Sequence, residues 1–327
     1  MRLLGLGLAC LVSACQSPGG DLPPPTSSAG AGSGGVLTSA GGGGSAGSAG
    51  SSGSGGTLPE GGTSTTGGGG SAGNGGTASA GSGGAAGEAA ALPSTITILT
   101  FNVRTSDADA VDAPLGNDWS ARLPLALEVL SAADPDVVGL QEATDGQVAD
   151  ISAGFTVLSA PGVSILYRAE RLTALGGAVV DVGNYGNMDP WGTRYVNWQR
   201  FALAGSGAEF TFYNTHLSTA GDNLPQSQFV LDLAAESDAE GIASVVVGDF
   251  NYDAAATVAA KGFDDDVSDH AGTFHGFQGG RSGPRFDFVV SRRATSTESL
   301  VDTRSTAPEQ PTVYPSDHYP IVVKLTL

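Results

Sequence analysis

Cysteine is the scarcest useful residue in this chain: there are two in 327 residues, Cys10 and Cys15, and both precede Gln16. Everything after them folds without a disulfide, a cysteine nucleophile or a thiolate zinc site. Positive charge is also scarce, with 14 Lys and Arg against 33 Asp and Glu and a formal net charge of −19. So acidic a chain does not adhere to nucleic acid by neutralising phosphates, although a nuclease working through divalent cations is left open. The longest apolar run, Leu3 to Val12, is too short to span a bilayer, which takes roughly 20 residues. Large apolar residues are sparse between Gln16 and Ala90, where Gly, Ser, Ala and Thr dominate. Such a stretch cannot offset its own conformational entropy. It has no Gly at every third position, as collagen requires, and no aromatic repeat. It reads as a tether whose root-mean-square span as a coil is on the order of 50 Å.

At the start of the chain, Arg2 precedes the apolar run, which closes on Val12-Ser13-Ala14-Cys15. This resembles the lipobox of bacterial lipoproteins, whose cleavage leaves the cysteine as a lipid-bearing N-terminus. An uncleaved anchor and an ordinary secreted protein are the rival readings. Gln16, rather than Asp, at the next position favours the outer membrane of a Gram-negative envelope. The expected organisation is a signal over 1–15, a disordered linker over 16–90 and one folded domain over 91–327, a monomer reaching the membrane only through lipid on Cys15.

Within that domain strands alternate with helices. Thr95 to Phe101 alternates apolar and polar residues as a strand does, and Asp136 to Leu140 reads as a buried strand after the break at Pro135. Asn117 or Asp118 caps an expected helix carrying Leu123, Leu127 and Leu130 on one face. Further β-rich runs are Val163–Tyr167, Gly177–Val182, Tyr195–Leu203, Glu209–Thr215, Ser244–Val247, Phe286–Val290 and Tyr319–Leu325, with a helix expected over Pro225–Glu240. Polar residues follow the strand ends: Asn102, Gln141-Glu142, His216, Asp249 and Asn251. Sites in α/β proteins gather there, because loops converge while strands hold them rigid.

Taken in order, Thr100-Phe101-Asn102-Val103, Gln141-Glu142, Ile165-Leu166-Tyr167-Arg168, Asn214-Thr215-His216-Leu217, Gly248-Asp249-Phe250-Asn251, Thr273-Phe274-His275-Gly276-Phe277, Arg285-Phe286-Asp287-Phe288 and Ser316-Asp317-His318-Tyr319-Pro320 make a set. Each alone is weak; Gly248 to Asn251, for instance, would serve as an ordinary turn after a strand. The ordered set resembles the endonuclease/exonuclease/phosphatase superfamily over roughly Ile96 to Leu325. That resemblance implies a four-layer α/β/β/α sandwich with two packed mixed β-sheets, and a metal-dependent phosphoesterase.

A phosphate ester repels an attacking anion, so a divalent cation must draw charge from its oxygens. The resemblance assigns magnesium or manganese to Glu142 and Asn102, with Asp317 joining them, in keeping with hard oxygen ligands. It makes His318 the general acid or base with Asp287 orienting its ring, Asp249 the group that orients or deprotonates water, and Asn251 and His216 donors to phosphoryl oxygens. Which of Asp249 and His318 takes the proton stays open. Arg194 is placed to reach substrate phosphate, Trp198 reads as core, and His275 as a structural or substrate-side residue.

Substrate is less legible. The loop at Ser159 to Gly162 is short, no stripe of Lys and Arg marks a duplex-binding surface, and no apolar hairpin suggests membrane insertion. Asn184 to Trp191 is a candidate rim for a sugar or base. Nuclease activity is the first expectation and hydrolysis of sugar or inositol phosphates the second. A catalytically dead binding module is the third, opposed by the presence of all the expected site residues.

Overall fold

The computed structural model describes residues 94–327 apart from 186–188, 190–191 and 307–311. The expected signal with Cys15, the tether and Trp191 therefore lie outside the described residues. The strands are β1 (Thr95–Asn102), β2 (Val137–Gln141), β3 (Thr156–Leu158), β4 (Ile165–Tyr167), β5 (Leu172–Asp181) and β6 (Tyr195–Leu203). They continue with β7 (Glu209–His216), β8 (Ala243–Asp249), β9 (Asp264–Asp265), β10 (Asp287–Arg292), β11 (Thr295–Val301) and β12 (Ile321–Thr326). The α-helices are α1 (Asp109–Asp112), α2 (Trp119–Ala133), α3 (Asp145–Ile151), α4 (Asn223–Ala239) and α5 (Ala255–Ala260).

One sheet runs β11-β12-β1-β2-β4-β3 and the other β5-β6-β7-β8-β10-β9. Each has a single parallel pair near its middle, β1 with β2 and β7 with β8, among antiparallel neighbours. Side-chain alternation builds the layers. Ile96 and Ile98 of β1 face the second sheet, meeting Val245 and Val247 of β8, while Leu99 and Phe101 point outward beneath α2 and α3. Val246 points the other way, under Val230, Leu231 and Ala234 of α4. Three separate apolar cores thus lie between four layers, as the motifs implied.

A buried polar link sets one sheet against the other. Asn214 of β7 donates to Leu140 O at 2.9 Å and Ser164 O at 3.0 Å in the first sheet, and accepts from Gln141 Nε2 at 2.7 Å. The approach is so close that a Cβ at Gly139 would sit 2.6 Å from Val247 Cγ2 and 2.7 Å from Asn214 Oδ1. Glycine is required there by space rather than by dihedral angle.

Two expectations need correction. Helix α2 is capped by Asp118, but its buried face carries Trp119, Arg122, Leu125, Ala126, Val129 and Leu130. Leu127 is 41% exposed. The chain enters the helix at Trp119, so Leu123 sits at the edge of the buried face and Leu127 beyond it. Strand β5 also begins at Leu172, earlier than the expected Gly177, because its bulge between Ala174 and Gly176 breaks the alternation.

Candidate active site

Parallel pairs align carboxyl ends, and antiparallel neighbours start where those ends finish. Asn102 therefore stands beside Gln141, His216 beside Asp249, and Asp287, opening β10, opposite Asp249. Asp317 and His318 arrive on the segment leading into β12, which pairs with β1. The two sheets meet at Asn102, whose Nδ2 donates at 3.0 Å both to Glu142 Oε1 and to Asp249 Oδ2. Its Oδ1 accepts from the Arg104 backbone N–H at 3.0 Å. A residue expected to hold metal is here also the bridge between two carboxylates.

The backbone at these positions is unusual. Glu142 and Asn251 adopt φ of 62° and 55°, left-handed conformations seldom populated outside glycine, and such strain clusters at functional sites. Gly248 has φ of 138°, and a Cβ there would lie 1.9 Å from Thr215 O, so no other residue fits between β7 and Asp249. Asn251 N donates to Asp249 Oδ1 at 2.8 Å, and its Nδ2 to Leu217 O at 2.8 Å. That fixes the amide at the mouth of the site with one of its hydrogens committed.

Two imidazoles face Asp249. His318 Nε2 and His216 Nε2 each lie 3.6 Å from Asp249 Oδ2, and His216 Nε2 lies 3.9 Å from Glu142 Oε1. Behind His318, Nδ1 meets Asp287 Oδ2 at 2.8 Å. Burial opposes charge on this ring, yet Asp287, Asp249 and Asp317 hold the imidazolium well above the ordinary histidine range. His216 behaves oppositely: burial and the Arg194 charge push it down to about 4 against the pull of Glu142.

The carboxyl groups divide as well. Burial, reinforced by Asp287 and Glu142, lifts Asp249 to about 7 despite the attraction of His318. Burial and Glu142 likewise raise Asp317. For Glu142 burial works upward but is outweighed by His216, the Asn102 amide, His318 and Arg104, leaving it at about 2. Because His216 is neutral at pH 7, Asn102, His318 and Arg104 keep Glu142 ionised there.

All the expected site residues within the described chain converge except in the manner foreseen for Arg194. Its guanidinium is engaged by Asp189, with Nε to Oδ2 at 2.7 Å, and by His216 Nδ1 at 3.0 Å. Trp198 is half-buried, stacked on Tyr213 with centroids 6.1 Å apart against the core under α4. His275 stacks on Tyr319 at 4.1 Å, and its backbone N–H donates to Asp317 O at 2.9 Å, bracing the His318 loop.

Sequence reasoning missed Arg122. This buried arginine donates to Asn117 O at 2.7 Å, Arg104 O at 3.0 Å and Pro315 O at 3.3 Å, and to Val103 O. It ties the loop after Asn102 to the loop before Asp317. An arginine within the helical stretch after Trp119 was the available signal, since a long charged side chain on a buried face must find acceptors. Asp189 was missed because a carboxylate in a Gly- and Asn-rich loop carries no pattern.

The donors suit a hard divalent cation. Ligand atoms of Glu142, His216 and Asp249, and of Asp249, Asp287 and His318, lie within 4.8 Å of one another. Four buried or half-buried carboxylates, Glu142, Asp249, Asp287 and Asp317, surround the centre. Of the cations among them, His318 is already spent on Asp287, and Arg104 is shared between Asp112 at 3.1 Å and Asp317 at 3.9 Å, which leaves more carboxylates than cations. Surplus buried negative charge with oxygen donors is what such an ion stabilises.

Comparison with known proteins places this geometry. The chain resembles, in solved structures, an endonuclease/exonuclease/phosphatase family protein from Bacteroides thetaiotaomicron, at 21% identity and a TM-score of 0.63, over 72% of this chain and 99% of that one. A mannosyl-6-phosphatase from Bacteroides thetaiotaomicron VPI-5482 is similar at 21% identity and a TM-score of 0.63, over 71% of this chain and 100% of that one. TDP2 from D. rerio, solved with a single-strand DNA product, matches at 18% identity and a TM-score of 0.55, over 72% of this chain and 100% of that one. At such identities the likeness is one of fold. No curated protein sequence matches significantly. The model of the Endonuclease/Exonuclease/phosphatase family matches residues 99–318, from β1 to the site histidine, and the chain belongs to that family.

Proposed function

We propose that the domain hydrolyses phosphomonoesters of small molecules with the help of a divalent cation. The observation that carries phosphoester hydrolysis is the pairing of an imidazolium, His318 on Asp287, with a buried carboxyl at Asp249 poised near neutrality. Glu142, Asp317 and Asn102 would hold magnesium or manganese, which when bound withdraws charge from the phosphoryl group. Asp249 is the group suited to accept a proton from water, since its carboxyl titrates close to 7. His318, with Nδ1 turned to Asp287, presents Nε2 toward the centre as a donor to developing negative charge or to the departing oxygen. Asn251 and His216 complete the set of donors around the phosphoryl oxygens.

A small substrate is favoured over a nucleic acid by what surrounds the centre. Beyond Arg194 lies a cavity of about 230 Å³ lined by Asp181, Asn184, Asp189, Thr193, Asp222 and Gln226, among others. Its carboxylates disfavour a polyanion, and Arg194 is already paired with Asp189. The nuclease reading that the motifs put first falls behind for this reason. The test is phosphate release from sugar phosphates by the whole chain with magnesium, beside nicking of supercoiled plasmid, each with EDTA and His318→Ala controls. Metal-dependent nicking without phosphate release would reject the small-molecule reading, and silence in both assays would favour a binding module.

From Val12-Ser13-Ala14-Cys15 we separately propose that lipid on Cys15 anchors the protein to the bacterial envelope. A Cys15→Ser chain is expected in the soluble fraction, and its retention on membranes would reject the anchor.

A further inference from the structure

His216 is backed by a cation. Arg194 Nη1 lies 3.0 Å from His216 Nδ1, while the same guanidinium is clamped by Asp189, Nε to Oδ2 at 2.7 Å and Nη2 to Oδ1 at 3.4 Å. The side chains of Arg194 and Asp189 are 10% and 8% exposed, so the pair is held rather than swinging in solvent. Strand pairing fixes the approach. Val196 stands opposite Thr215 across β6 and β7, and the carbonyl of Arg194, just ahead of β6, accepts from Val182 N–H at 3.1 Å.

A guanidinium has five N–H donors, no acceptor, and does not give up its proton in proteins. Its short contact with Nδ1 is a hydrogen bond only when that nitrogen offers a lone pair. The ring proton then belongs on Nε2, the atom that faces Asp249 Oδ2 at 3.6 Å and Glu142 Oε1 at 3.9 Å. We infer that Asp189 and Arg194 are positioning residues that lock His216 as the neutral Nε2–H tautomer, a fixed donor aimed into the catalytic centre. Its chemical use, donation to a phosphoryl oxygen of the substrate, rests on the phosphoester-hydrolase reading; the tautomer itself does not.

The opposite tautomer shows what the contact selects. With its proton on Nδ1, the ring would set one N–H against another at 3.0 Å and turn a bare Nε2 toward Glu142 and Asp249. Asp189, bonded to Nε and Nη2, keeps the arginine in place and leaves Nη1 for the ring.

The chain contains four histidines, so imidazole nitrogens can be resolved individually. The experiment is a long-range proton–nitrogen correlation spectrum of the ¹⁵N-labelled whole chain near pH 7, with the His216 signals assigned by a His216→Gln variant. His216 is expected to show an unprotonated Nδ1 and a protonated Nε2. In Arg194→Met that pattern should give way to a tautomer mixture or a doubly protonated ring, and Arg194→Lys should restore it. Asp189→Asn should shift it partway. On the preferred substrate, Arg194→Met should lower kcat by about 10²-fold through loss of a fixed donor, with KM little altered. A native His216 protonated on Nδ1, or a spectrum unchanged in Arg194→Met, would overturn the inference. The native spectrum decides even where a variant fails to fold. Because it needs no substrate, a correct tautomer in a chain without phosphoesterase activity would sink the functional reading alone, and active protein with the wrong tautomer would sink the lock alone.

Discussion

Two histidines stand at equal distance from one carboxylate and are made different by what lies behind them. His318 and His216 each place Nε2 3.6 Å from Asp249 Oδ2. Behind the first is the Asp287 carboxylate at 2.8 Å; behind the second is the Arg194 guanidinium at 3.0 Å. One ring is thereby held charged and the other neutral, inside the same few ångströms. Side-chain identity does not set a role here; the partner on the remote nitrogen does. A neutral donor beside a cationic one also lets both imidazoles crowd Asp249 without repelling each other.

Deleting the charged member should cost most. His318→Ala is expected to lower kcat by about 10²–10⁴-fold, because it removes a positioned proton-transfer group. Metal affinity, read by titration calorimetry, should hardly change, and activity within a few-fold of the parent would contradict the assignment. His216→Ala should cost somewhat less, about 10²–10³-fold, as the loss of one donor to developing charge does. Should the two deletions prove equal, or their order reverse, the difference between cationic and neutral roles would not hold. Glu142→Gln sharpens the contrast from the other side. It should weaken magnesium or manganese binding in calorimetry while leaving the His318 ring protonated in NMR spectra.

Removing the carboxylate behind His318 tests the same difference through stability. The folded pKa of His318 lies above its unfolded value, so the stabilisation it brings is fully present below about pH 6.5 and fades as pH rises through the raised folded value. Asp287→Asn lowers that folded value. The melting temperature of the variant should therefore fall furthest behind the parent near pH 6, and the gap should narrow in more alkaline buffer. A gap independent of pH would show that Asp287 does not sustain the imidazolium. The smallest effect is expected at Gly139, where alanine would push Val247 and Asn214 away and loosen the register between sheets. A loss of about 1–3 kcal/mol in denaturant unfolding is expected, as for other overpacked cores.

The contrast between the two histidines was only half legible in the sequence. Asp287 could be paired with His318 because both sit in ordered motifs next to strand starts. Arg194 announced itself as an arginine ahead of a strand, but its clamp on Asp189 depends on a loop whose composition carries no periodicity. Strand ends and the polar residues after them were readable wherever a buried apolar run preceded them, as at Val245-Val246-Val247 before Asp249. Strand β11, Thr-Ser-Thr-Glu-Ser-Leu-Val, passed unseen, since an exposed edge strand with a polar sequence buries little. Helix α3 was missed although Thr144 and Gln147 form a capping box, because its apolar face amounts to Val148 and Ile151 alone. The leucine stripe of α2 misled for a related reason. Burying Arg122 against four backbone carbonyls set which face turned inward, and such satisfaction cannot be seen in a hydrophobic pattern.

Strand β12 carries a consequence for the order in which this domain comes into being. It inserts between β11 and β1, pairing with β1 from Thr95 to Thr100, so the opening strand of the domain waits for the closing one. Asp317 and His318 travel just ahead of it. The strand that closes the first sheet and the imidazolium that faces Asp249 are thus one contiguous piece of chain, so docking β12 between β11 and β1 and seating His318 against Asp287 are a single event.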